Sequence, residues 1–74
     1  MTSFNSINPA KLLLSKWTAT QPKNKEKHFL VTQLITNDEE RIVGCVIEAV
    51  YSQRKTEIDW KMLMDNSQWL MGWH

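Results

Sequence analysis

At 74 residues the chain has room for one hydrophobic core and therefore one domain. A single cysteine, Cys45, excludes an internal disulfide, the usual staple of small secreted domains, and fits a reducing compartment. A formal net charge of +1 excludes a polyanion binder that is basic over its whole surface, and no run approaches the roughly 20 apolar residues of a membrane-spanning helix.

The opening MTSFNSINPAKLLL has no charged segment ahead of Leu12-Leu13-Leu14, so it reads as neither a signal peptide nor an anchor. A soluble cytoplasmic protein is expected, with residues 1–7 as a flexible N-terminus and 8–74 as the domain. Charge is uneven along the chain. Residues 1–37 carry Lys11, Lys16, Lys23, Lys25 and Lys27 against Glu26 alone, whereas four basic residues face seven acidic ones in 38–74.

Asn8-Pro9 has the form of a helix cap followed by proline at the first helical position, which predicts a short helix or single turn running toward Leu12. Lys16-Trp17-Thr18-Ala19-Thr20 is rich in strand formers and stops at Gln21-Pro22, a short first strand. Residues 23–27 are polar and unpatterned and read as an exposed loop. From His28 to Thr36 a second strand is expected, and from Ile42 to Tyr51 a third. Both parities of the third are largely apolar, which predicts a central strand covered on both sides. Asn37-Asp38-Glu39-Glu40-Arg41 between them is a turn of hairpin length. Thr56, Ile58 and Trp60 alternate with Glu57 and Asp59 as a half-buried edge strand. Asp59 then caps a helix carrying Trp60, Leu63 and Met64 on one side, and Gln68–Met71 form a last helical turn closed by Gly72. The whole is an α+β fold: a three- to four-stranded antiparallel meander with short N- and C-terminal helices, the alternative being a small SH3-like barrel.

A buried tryptophan removes about 200 Å² from water, on the order of 5 kcal/mol apiece. A domain this short cannot leave all four tryptophans on its surface and is expected to bury at least two, Trp60 foremost. Catalytic, metal and cofactor motifs are missing. Cys45 lies among Val43 and Ile47, where an inert thiol is expected, and His28, Cys45 and His74 have no zinc-ligand spacing. Gly44 and Gly72 are the only glycines, too far apart for a phosphate loop. Glu48 in a central strand calls for a basic neighbour. The protein is expected not to be an enzyme and to use no cofactor.

Two segments remain as binding candidates. Lys16, Trp17, Lys23, Lys25, Lys27 and His28 interleave cations with an aromatic, as a platform for RNA or single-stranded DNA requires. Trp69, Met71 and Trp73 near the C-terminus would form an apolar anchor for a protein partner or a second copy if they do not pack on the sheet.

Ser15-Lys16-Trp17-Thr18-Ala19, Pro22, Glu26-Lys27-His28-Phe29-Leu30-Val31, Glu48-Ala49-Val50, Arg54, Trp60, Trp69 and Gly72-Trp73 together resemble a family of small tryptophan-rich bacterial proteins of unknown function found in proteobacteria and cyanobacteria. The resemblance spans residues 8–73 and implies a free-standing protein; it brings no activity, cofactor or catalytic residue.

Overall fold

The computed structural model describes residues 5–74, so the first four positions of the expected flexible segment lie outside it. Five strands form one antiparallel sheet: β1 (Lys16–Lys23), β2 (Glu26–Thr36), β3 (Ile42–Ala49), β4 (Lys55–Ile58) and β5 (Trp69–Met71). Their spatial order is β4-β3-β2-β1-β5. The first four strands make the expected meander, and β5 returns to pair with the free side of β1. The sheet stays open, with β4 and β5 as separate edges, and the molecule is a thin slab of 37 × 34 × 15 Å. A closed barrel is therefore not formed.

The α+β expectation is corrected to an all-β fold. Pro9–Lys11 and Trp60–Met64 are short 3-10 turns, and no α-helix occurs among the described residues. Both turns carry the expected caps: Asn8 accepts from the Ala10 N–H and Asp59 from the Lys61 N–H. Segments of three and five residues are too short for an α-helix to offset its nucleation, so 3-10 turns form instead. The predicted last helical turn is β5. Asp65 reverses the chain by accepting at its carbonyl from the Gln68 and Trp69 N–H groups and at its carboxylate from Ser67, which delivers Trp69–Met71 to the unpaired edge of β1.

The turns each place one or two residues at positive φ, of which Asn24 is the type that adopts it most readily. The expected loop at 23–27 is a two-residue hairpin turn with Asn24 at φ 55° and Lys25 at φ 63°, and Lys23 pairs with Glu26 across it. Two consecutive left-handed residues give a turn whose twist matches the strands. At the β2–β3 hairpin, Asn37 Oδ1 accepts from the Glu39 and Arg41 N–H groups and Glu40 takes φ 61°.

One face of the sheet carries Trp17, Phe29, Val31, Cys45, Ile47 and Ala49, all buried, as the register Trp17↔Phe29 and Val31↔Ile47 requires. Leu12 beyond the first 3-10 turn and Leu63 of the second close over it, with Ile7, Trp60 and Trp69 packed at the margin. Trp60 is thus at the border of the core while Trp17 is at its centre. The other face bears Lys16, Thr18, His28, Leu30, Val46 and Glu48. Val46 and Glu48 are only half-buried, so β3 is central in the sheet but covered on one side, contrary to the two-sided cover expected from its composition.

Candidate interaction face

The C-terminal residues fold back over the outer face. Gly72, at φ +83°, turns the chain where an L-residue would be strained. Its N–H donates to the Lys16 carbonyl and its carbonyl accepts from Thr18 Oγ1 at 2.7 Å. The same hydroxyl accepts from the His74 N–H at 3.0 Å. Thr18 is consequently 2% exposed although it sits on the outer face.

This fold-back places Trp73 on the sheet. Its indole N–H donates to the Phe29 carbonyl at 3.0 Å, Lys16 Nζ lies 4.8 Å from its ring centroid, and the His28 ring is 5.8 Å away, tilted by 31°. His28 Nε2 in turn donates to the His74 carbonyl at 2.8 Å. Trp73 still exposes 42% of its surface. Its indole is hydrogen-bonded in place while its ring faces solvent, and Leu70, also exposed, lies on the same face of the sheet opposite Thr18.

The candidate residues are thereby redistributed. Trp17 leaves the surface altogether, its indole N–H donating to Ser15 Oγ. Lys23 ends β1, Lys25 lies in the β1–β2 turn itself, and Lys27 is exposed just beyond it. Lys16 and His28 join Trp73. Trp69 packs edge-on against Phe29, with ring centroids 5.1 Å apart at 83°, so it belongs to the core margin, while Met71 stays exposed. Two residues of one candidate segment and one of the other therefore meet on a single surface.

Sequence reasoning missed Glu26. It is buried and accepts from Arg54 Nε at 3.0 Å, from Arg54 Nη2 at 2.5 Å and from the Ser52 hydroxyl. These hydrogen bonds, first Arg54 and then Ser52, hold its carboxyl at about 2, below the ordinary 4.5, because they favour the charged form. Its one signal was being the sole acid among five lysines. The triad ties the start of β2 to the β3–β4 turn and borders a shallow groove of about 180 Å³ with Gln21 and Lys23. Glu48 faces Lys55 across the β3–β4 pair, Oε1 to Nζ 4.0 Å. Burial, with a smaller contribution from Asp59, raises the Cys45 thiol to about 11, which makes it unreactive. Among the described residues no three His, Cys, Asp or Glu side chains converge as a metal site, and no helix is long and apolar enough to cross a membrane.

A family model described as "Tryptophan-rich protein (DUF2389)" matches residues 15–74. No curated protein and no solved structure matches the chain.

Proposed function

The chain belongs to the tryptophan-rich family DUF2389, which is of unknown function, and we propose that it acts as a non-enzymatic cytoplasmic binding module that docks a protein segment on its outer sheet face. The observation that carries this reading is Trp73, exposed yet fixed by its indole hydrogen bond to Phe29 and flanked by Lys16 and His28. An aromatic ordered before binding loses little further entropy on contact, which is the property of an interface anchor. Leu70 and Trp73 supply apolar surface and Lys16 a cation, so the fitting partner is a segment with an acidic residue next to apolar ones. The lone buried Cys45 suits a reducing compartment.

Panning a displayed random-peptide library against the protein tests this. Acidic–apolar peptides should be enriched, and Trp73→Ala should weaken them by about 2 kcal/mol, roughly thirtyfold in Kd. Enrichment that Trp73→Ala leaves unchanged would sink the proposal.

A second reading, single-stranded nucleic acid, draws on the contiguity of Lys16, His28 and Trp73, a cation beside an exposed ring. It requires that an oligonucleotide quench Trp73 at low ionic strength and be released steeply as salt rises. Apolar peptide docking keeps most of its strength in salt.

A further inference from the structure

The edge strand β4 runs Lys55-Thr56-Glu57-Ile58 and exposes its first three residues. The Ala49 N–H donates to the Arg54 carbonyl, and in an antiparallel ladder the hydrogen-bonded pairs recur every second residue. Within the register Ile47↔Thr56 and Cys45↔Ile58, Thr56 and Ile58 therefore turn their backbone groups inward to β3. Lys55 and Glu57 turn theirs outward, where no other described segment meets them. The strand is a short open template with two donors and two acceptors.

Charged edge residues ordinarily discourage pairing with passing strands. The particular alternation here has a further property. A second β4 laid antiparallel can pair outward groups in three registers. Lys55 opposite Lys55, or Glu57 opposite Glu57, sets like charges directly across, which is destabilising. Centring the pair on Thr56 sets Lys55 opposite Glu57 twice, both as hydrogen-bonded pairs, with Thr56 opposite Thr56 between them. In that register the existing Glu48–Lys55 contact extends across the junction as Glu48, Lys55 and the second copy's Glu57, alternating in sign.

We propose that β4 pairs with β4 of a second copy, centred on Thr56, joining two five-stranded sheets into one continuous sheet about a two-fold axis. The axis is perpendicular to the sheet, so both outer faces, each with its Trp73, look the same way. A four-residue edge buries less than the roughly 800 Å² per partner of a standard interface, so the dimer is concentration-dependent.

Sedimentation equilibrium from micromolar to millimolar concentration tests this, with circular dichroism as the check on folding. The unmodified protein should approach twice its monomer mass. Lys55→Glu alone and Glu57→Lys alone each set like charges across the junction and should remain monomeric. An equimolar mixture of the two variants restores opposite charges at both positions and should regain the dimer mass, a recovery that misfolded variants could not give. The proposal is overturned if the unmodified protein stays monomeric throughout, if either single variant dimerises like it, or if the mixture remains monomeric.

Discussion

At one edge of the sheet β5 turns only Trp69 and Met71 outward, and their backbone is largely occupied. The Trp69 N–H donates to the Asp65 carbonyl and the Trp69 carbonyl accepts from Asn5 Nδ2. The Met71 carbonyl lies 2.8 Å from His74 Nε2. At the other edge β4 presents Lys55 and Glu57 with charge as their sole protection. The first edge is closed by the chain's own ends, Asn5 reaching in from one terminus and Gly72–His74 folding over from the other. Changes near β5 should consequently register as lost stability, and changes on β4 as lost association.

The largest expected effect is at Thr18. Thr18→Val keeps the shape of the side chain but removes the hydroxyl that holds both Gly72 and His74. Leaving a buried acceptor and donor without their partner costs about 2 kcal/mol, or about 10 °C in melting temperature for a domain of this size. The loss should be accompanied by a red shift of tryptophan emission as Trp73 leaves the Phe29 carbonyl. Unchanged melting and emission would mean that the C-terminal residues do not close the β5 edge.

Acid acts at Glu26, where the start of β2 meets the β3–β4 turn. The carboxyl of Glu26 is depressed in the folded state, so its contribution to stability is complete above about 4.5 and disappears as pH falls through about 2. Urea midpoints should therefore decline across that window, and Glu26→Gln should flatten the decline while lowering the midpoint at neutral pH. Because Glu26 is tied to Ser52 and Arg54, hydrogen exchange should accelerate first in the β3–β4 turn and β4. An equal acceleration in β5 would remove the distinction between the two ends.

The β2–β3–β4 half of the fold was legible because its information is local. Runs of β-branched and aromatic residues marked β2 and β3, alternation marked β4, and Asn37 and Asp59 announced a turn and a cap. β1 was legible too, from the strand formers at Lys16–Thr20, but β5 was not, because it has only three residues and acquires its strand character from β1, far away in sequence. A tripeptide Trp-Leu-Met carries no period that separates helix from strand. The same reasoning explains the candidate surface. Trp17 and Lys16 look equivalent in a basic–aromatic stretch, but strand parity sends one to the core and the other outward, and only the tail brings Trp73 across to Lys16 and His28. Glu26 was hidden because its partners Ser52 and Arg54 arrive through the sheet register.

The smallest expected effect on stability is at Glu57, and it is the one that separates the two edges most sharply. Glu57 is exposed and its opposite residue on β3 is Val46, so the carboxylate has no charged partner across the ladder inside its own sheet. Glu57→Lys should leave the unfolding free energy, measured by urea titration at concentrations where the protein is monomeric, within about 0.5 kcal/mol of the unmodified chain. Lys55 contributes little more, since its bridge to Glu48 is long and its own side chain is exposed. A substitution that is silent in the monomer but prevents association identifies β4 as an edge selected by its charges for pairing. One that costs stability in the monomer instead places Glu57 in the internal scaffold, and the two edges would then differ only in how thoroughly they are protected.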